Sequence, residues 1–342
     1  MKKTALPLIF LLLCIIGSAF AYPRLSVEKS TTCNSCHINP AGGGMRNEFA
    51  NYTVSLNEFC LPSTKQTAIE NYKKPRLSES VVVGFDSRHL LLEDGSVFRM
   101  QTDFHLSFEP FKNFQYIFRF WENGINENYA IASMFDEQFY LRAGRFSPAF
   151  GLKNVDHTAY NRVRTGHGSN IYLDGVGFTF VKNSFQFTAE VFSQNDQGIY
   201  GFHAMKTMEF KNIGLFLGAS YRLSEELLGT NRLFPHAKAI FGGASYDRFT
   251  FMGELDLVGQ DNDTLISYMN LTTRLDYGLY LITEYNFFDG NRDIADGADE
   301  FLRFSVELFP ISFVQLRPSY TRYTDGALKD ESMYFLQLHF GY

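Results

Sequence analysis

The chain has 342 residues, a formal net charge of −6 and a near-neutral mean hydropathy of −0.16. The acidic balance argues against nucleic acid as a partner, since a backbone binder needs a basic face. Ordinary hydropathy combined with 36 Phe and 19 Tyr, but a single Trp, is the composition of a membrane barrel. There, apolar and polar residues alternate and rings collect in interfacial girdles.

The chain opens on Met1-Lys2-Lys3, continues with an apolar run from Leu6 to Ile16 and reaches Ala19-Phe20-Ala21. Residues 1–21 therefore read as a secretory signal peptide cleaved after Ala21, with Cys14 in the discarded part. Nothing later in the chain is apolar for long enough to make a spanning helix. Export leaves Cys33, Cys36 and Cys60, an odd number that does not suggest a disulfide framework.

Residues 22–77 form a polar segment that holds all three of these cysteines and the run Gly42-Gly43-Gly44. Some fifty residues are too few to bury a core unaided, so this segment needs a cofactor, a docking surface or both. A short helix is expected over Arg46–Phe59, and Pro62–Pro75 reads as a linker.

From Ser78 to the end of the chain, residues 78–342, the apolar period becomes two. Phe98, Met100, Phe104 and Leu106 alternate with Arg99, Gln101, Asp103 and His105. Phe249, Phe251, Leu255 and Leu257 alternate with Thr250, Glu254 and Asp256. Tyr334, Leu336, Leu338 and Phe340 alternate with Met333, Phe335, Gln337 and His339. One lipid-facing and one lumen-facing side produce this dyad. Sixteen such runs are expected, beginning near residues 78, 95, 113, 127, 136, 172, 184, 199, 213, 235, 248, 264, 278, 300, 312 and 331. Turn signals such as Glu93-Asp94-Gly95, Asn123-Gly124, Lys211-Asn212, Asp247-Arg248 and Asp289-Gly290 separate them. Long connections are expected over 147–171, 223–234 and 289–299. The fold class is thus all-β: an antiparallel transmembrane barrel of about 16 strands in the bacterial outer membrane. Arg119, Arg142, Glu190, Arg222, Glu254, Asp256, Arg274, Glu284, Arg303, Glu307 and Arg317 fall on its inner face. They suit a water-filled or a plugged lumen.

Cys33-Asn34-Ser35-Cys36-His37 is the C-x-x-C-H pattern of covalent haem attachment. Two thiols three apart on a tight turn add to the two vinyl groups of the porphyrin, and the adjacent His37 ligates the iron from below. A redox dithiol would open a helix in a βαβ setting, and a zinc site would need a second ligand pair. The expected cofactor is one covalently bound haem c. Arg46 is a candidate partner for a haem propionate, and the Pro40 carbonyl a candidate acceptor from His37 Nδ1–H. Met45 is the nearest thioether and the candidate distal ligand, with the lumen-facing His105 and His339 as alternatives. Cys60 has no assigned role and reads as a buried free thiol.

On these residues the chain resembles the fused monohaem cytochrome–porins of the outer membrane, associated with Fe(II) oxidation and extracellular electron transfer. The resemblance is carried by Ala21-Tyr22-Pro23-Arg24-Leu25 and its spacing to Cys33-Asn34-Ser35-Cys36-His37. Ser26 to Ser30 departs from the family's usual wording, and Asn39-Pro40 to Gly44 is closer to members outside the core iron-oxidising group. Over the barrel the likeness is architectural alone. It implies a short cytochrome segment ahead of a porin of about sixteen strands, with outer-membrane lipid around it. It implies electron transfer between an extracellular donor or acceptor, with Fe(II) one candidate, and a periplasmic c-type cytochrome; no substrate bond need be made or broken. Two other readings stay open: a passive porin with a structural cysteine pair, and a haem sensor or peroxidase with an open sixth position.

Arg142-Ala143-Gly144-Arg145-Phe146 and Phe150-Gly151-Leu152 resemble a porin strand leading into its loop. His157, Arg162, Arg164 and His167 follow. They are candidates for a constriction or an anion site, although a solvated surface loop is the plainer expectation.

Overall fold

A computed structural model describes residues 22–341 apart from 73, 122–123, 155, 166–170, 195–196, 225–235, 260–263 and 295–296. The expected cleavage after Ala21, Cys14 and His167 lie outside the described residues, as do Asn123 and most of 223–234. No described helix is long and apolar enough to cross a membrane.

Each of the sixteen expected runs is a strand, beginning within three residues of its expected start. The strands are β2 (Val81–Leu92), β3 (Val97–Phe111), β4 (Phe114–Trp121), β5 (Gly124–Met134), β6 (Phe139–Phe146), β7 (Leu173–Lys182), β8 (Phe185–Gln194) and β9 (Gln197–Phe210). The chain continues through β10 (Ile213–Ser224), β11 (Ala237–Tyr246), β12 (Phe249–Val258), β13 (Thr264–Asp276), β14 (Leu279–Asp289), β15 (Ala298–Ile311), β16 (Val314–Asp325) and β17 (Ser332–Gly341). Every neighbour in sequence pairs antiparallel, and β17 returns to β2 with Phe340 opposite Ser87. Closure leaves no edge, so every strand finds hydrogen-bond partners on both sides without help from solvent. A seventeenth strand, β1 (Arg76–Ser78), adds three residues against the start of β2.

The burial pattern is inside out. On β12, Phe249, Phe251 and Leu255 face outward while Thr250, Glu254 and Asp256 are buried. On β17, Tyr334 is 56 % exposed while Gln337 and His339 are buried. A soluble sheet packs its apolar face into a core; an apolar exterior around a polar interior is a surface made for lipid. The barrel has a turn end and a loop end. At the turn end the strands are joined by tight connections such as Asn183-Ser184, Lys211-Asn212 and Asp247-Arg248. Asn113, Asn183, Ser184, Lys211 and Asp247 adopt positive φ there, as the tightest hairpins require.

The lumen is filled from both ends. From the turn end comes the polar segment: helix α1 (Pro23–Glu28), a 3₁₀ turn (Cys33–Ser35), a π-helical stretch (Phe49–Val54) running into α2 (Ser55–Glu58), and α3 (Pro62–Asn71). The expected helix over Arg46–Phe59 thus begins later and starts wide. The expected linker is largely helical instead: Pro62 sits in the first turn, where its missing N–H costs nothing. That helix buries none of its residues, which is why its sequence lacks an apolar stripe. From the loop end the described part of the long connection, 147–154 and 156–165, folds inward and carries a short helix α4 (Tyr160–Val163). Asn154, Asp156, Asn161 and Thr165 are buried there, so the expectation of a solvated surface loop is overturned.

Contacts between segment and wall are apolar at the rim and ionic within. Tyr22, Leu25, Ala50, Val54 and Phe59 pack on Tyr280 and Phe309, and Val27 packs among Met205, Phe216, Phe241 and Met252. Gly214 on β10 permits this closeness; a Cβ there would fall 2.0 Å from the Val27 carbonyl oxygen. Arg24 donates to Glu307 at 2.9 Å between the rings of Tyr22 and Tyr280. Arg142 donates to Asn39 at 2.6 Å, and Arg46 to Asp86 at 3.0 Å. Replacing Arg24 by Ala strands Glu307 in a water-poor lumen. Loss of one partner from a buried pair costs roughly 3–5 kcal/mol. Arg24→Ala should therefore lower the urea midpoint at which the segment becomes protease-sensitive, with the barrel's own heat-modifiable gel migration unchanged. An unaltered midpoint would remove this pair from any account of plug retention.

Candidate functional site

Cys33-Asn34-Ser35-Cys36 closes on itself through Cys36 N–H to the Cys33 carbonyl at 3.1 Å, and His37 N–H donates to the same oxygen at 3.0 Å. One turn therefore presents two thiols and an imidazole from five residues. Neither thiol is in a disulfide. The chain then loops out and comes back. Ile38 N–H donates to the Met45 carbonyl at 3.0 Å, and Asn47 N–H to that of Cys36 at 3.0 Å. Gly42, Gly43 and Gly44 turn the loop with φ of 84°, 75° and 63°, a run that residues with side chains rarely sustain. A Cβ on Gly42 would also crowd Cys33 Sγ, at 3.2 Å.

This turn lines a cavity of about 160 Å³ inside the barrel, between the segment, the inward loop and the wall. Cys33, Cys36, His37, Gly42, Gly43, Gly44 and Arg46 all contribute to its lining. Its lining is divided by polarity. Towards β9, β10 and β11 stand Met205, Phe216 and Phe241, with Leu152 of the loop. Towards β2 to β5 stand Asp86, Arg88, Gln101, His105, Arg119 and Glu127, with Arg162 and His157 of the loop beside them.

Sequence-selected residues separate here. Cys33, Cys36, His37, Arg46 and His105 meet at the cavity. Met45 is buried but is not part of the cavity lining, because in the hairpin its side chain projects opposite to that of Arg46. His339 lies away from the cavity as well, held by Asp86 at 2.9 Å and Gln315 at 3.1 Å. The Pro40 carbonyl is not the partner of His37, whose Nδ1 is buried without a hydrogen bond. Cys60 is buried at the turn end beside Thr64, remote from the other thiols, with its own titration moved up by burial. Of the loop residues, His157 and Arg162 reach the cavity, whereas Arg164 is at the loop end beside Asp299 at 3.8 Å. His203, Met205 and Lys153 were not selected from sequence. Only the tertiary fold, through barrel closure for the first two and the inward loop for Lys153, brings them to the cavity that Cys33 lines.

Electrostatics favour neutral donors. Burial pushes the Cys33 and Cys36 thiols up to about 11, and proximity to Cys36 adds to the shift at Cys33. Burial, helped by Arg46 and Lys153, brings His37 down to about 3, so its imidazole is neutral at physiological pH. Burial likewise lowers Lys153 to about 8 and Arg162 to about 10. The loop bearing these cations is pinned: Arg303 donates to Asp156 at 2.6 Å, and Glu254 accepts from Leu152 N–H and Asn161 Nδ2, each at 2.8 Å. Arg303 and Arg317 hold the Asp156 carboxyl well below the usual range despite its burial. Among the described residues no three of His, Cys, Asp and Glu gather as they would for a bare metal ion. The arrangement instead sets two thiols and a neutral imidazole between an apolar wall and a cluster of cations.

No family model matches the chain, and no curated protein matches it. Among solved structures it is similar to outer-membrane-expressed OmpT of Vibrio cholerae, with TM-score 0.58 and 10 % identity over 79 % of this chain and all of that one. It is also similar to Pseudomonas putida OprB at low pH, with TM-score 0.56 and 9 % identity over 84 % and 99 %. A mutant of Rh. blastica porin gives TM-score 0.56 at 10 % identity over 77 % of this chain and all of the other. The class the fold defines is therefore the closed sixteen-stranded barrel of outer-membrane porins. At these identities the likeness concerns architecture, and function has to be argued from the site.

The thiol chemistry gives a direct check. A pKa of about 11 in place of 9.0 means a thiolate fraction near neutrality roughly 100-fold lower than that of a free thiol. In protein made without haem maturation, maleimide labelling of Cys33 and Cys36 at pH 7 should be slow, speeding up continuously as pH rises towards 11. Rapid labelling at pH 7 would mean that the turn is not enclosed by the lumen.

Proposed function

We propose that this protein is an electron conduit of the bacterial outer membrane, in which one haem c bound to Cys33 and Cys36 sits inside the barrel. The observation that supports it most is the convergence at one lumen cavity of two free thiols, a neutral imidazole and a glycine-lined turn, in C-x-x-C-H order. Cys33 and Cys36 would hold the porphyrin edge and His37 its iron; the group, when bound, supplies one-electron redox chemistry. Arg46 is paired with Asp86, so the propionate role expected of it is shared with Arg88, Arg119, Arg162 and Lys153 around the same space. The wall replaces the missing shell of a small cytochrome. It excludes water, orients the turn through Asn34 to the Tyr140 hydroxyl at 3.3 Å, and surrounds the site with fixed charge.

In this reading the turn end faces the periplasm, where a c-type cytochrome exchanges electrons with the segment. The loop end faces an extracellular donor or acceptor, Fe(II) among the candidates. Short turns on the periplasmic side and long loops outside are the rule for such barrels.

A passive channel is the second reading, favoured by the porin architecture of the similar structures. The ion pairs that seat the segment across the lumen oppose it. Purified protein coexpressed with haem-maturation machinery decides. The conduit reading expects pigment that survives acidified acetone, reduction by a small donor, and little bilayer conductance. Cys33→Ala with Cys36→Ala should lose pigment and electron transfer together. Colourless protein with steady single-channel current would establish the channel instead.

A further inference from the structure

Besides His37, two imidazoles that line the cavity have a buried Nδ1 without a hydrogen-bond partner among the described residues. His203 on β9 and His105 on β3 are both buried, and each has an Nδ1 with no partner among the described residues. Buried polar side chains are nearly always hydrogen-bonded, and an unsatisfied one calls for an explanation such as a missing ligand. The two are not equivalent. His105 stands in the charged half of the cavity, opposite Arg119 on β4. His203 stands in the apolar half, its ring 5.2 Å from that of Phe241.

Strand geometry connects His203 to the thiols. Met205 Sδ lies 3.9 Å from Cys33 Sγ. His203 is two residues earlier on β9 and on the same inward face, hence roughly 7 Å further along. The pair is buried together, with Met205 in the apolar cluster that Cys33 packs against. A porphyrin tethered at Cys33 would rest on the apolar lining, its anionic edge turned to the arginines. His203, one pleat beyond the tether, lines that same apolar side of the cavity.

We propose that the barrel wall itself supplies the second axial ligand of the haem iron, through the imidazole of His203. The assignment rests on the haem reading above and goes beyond it. The iron would be held by His37 on the segment and His203 on the wall, so that the cofactor ties plug to barrel. Met205 then packs against the thioether of Cys33 and does not bind iron. This also explains a buried imidazole that the protein alone leaves unsatisfied.

The test uses full-length, haem-loaded protein. Wild type should be six-coordinate and low-spin, inert to carbon monoxide when reduced. Its near-infrared magnetic circular dichroism should show the charge-transfer band of two nitrogen ligands, not of nitrogen and thioether. His203→Gly should keep its covalent pigment, become high-spin when oxidised and bind carbon monoxide when reduced; added imidazole should restore the low-spin spectrum. Met205→Leu and His105→Ala should leave the spectrum low-spin. A low-spin, carbon-monoxide-inert His203→Gly overturns the assignment, as does loss of the low-spin state in His105→Ala or Met205→Leu instead. Should His203→Gly fail to assemble, a thioether band in wild type still overturns it. A nitrogen–nitrogen band that persists in His105→Ala and is lost in His203→Gln upholds it. Wild type without covalent pigment would sink the haem reading itself, an outcome distinct from all of these.

Discussion

Charge neutralisation inside the lumen is the constraint from which the rest of the structure follows. A barrel with an apolar exterior has to put its polar residues on the inner face, and here that face carries buried Arg119, Arg142, Arg303, Glu190, Glu254, Glu284 and Glu307. In an open pore, water would solvate them. In this barrel the lumen is occupied, so each charge must find a partner in protein or impose a desolvation cost of several kcal/mol. Arg142 meets Glu190 at 2.6 Å and Asn39 at 2.6 Å, so one guanidinium serves both wall and plug. Glu307 takes Arg24, and Glu58 of the plug takes Lys29 at 2.7 Å and Arg274 at 3.5 Å. The segment is thus the counter-charge of the wall as much as its occupant.

The inward loop obeys the same rule from the other end. Asp156 is shared between Arg303 and Arg317, and Arg317 also donates to Glu284 at 2.5 Å. Gly151 is required where the loop crosses β12, since a Cβ there would lie 1.8 Å from a Glu254 oxygen. Loop and segment together leave a cavity between them at the cysteine turn. Its division into an apolar side and a basic side comes from which strands stand where, and that division gives the cavity a preferred orientation for any amphipathic, anionic guest.

Porin architecture by itself is compatible with many functions, and barrels with about a tenth of their residues in common share this one. What sets this chain apart is a segment that folds without a core of its own. Its apolar residues Tyr22, Leu25, Val54 and Phe59 pack on Tyr280 and Phe309 of the barrel. Fifty-odd residues are too few for independent stability. The wall therefore supplies the packing surface that the segment lacks.

Much of this was already legible in the residue order. A period of two repeated over sixteen consecutive runs marks strands, and the tight turns are marked by Asn, Asp, Gly and Lys, so strand number and approximate starts could be read directly. The C-x-x-C-H turn could be read for the same reason: its geometry is local, and one turn brings its two thiols and imidazole together. The inward path of Asn154, Asp156, Asn161 and Thr165, the helix at Pro62–Asn71 and the neighbours of Cys33 could not. The loop's direction depends on ion pairs such as Asp156 with Arg303, 147 residues apart, and no local pattern encodes such a pair. Met45 was near in sequence but points away from the cavity. Met205 and His203 are some 170 residues distant and point in. Proximity along the chain and proximity across a closed barrel are set by different geometry, and only closure brings β9 against the cysteine turn.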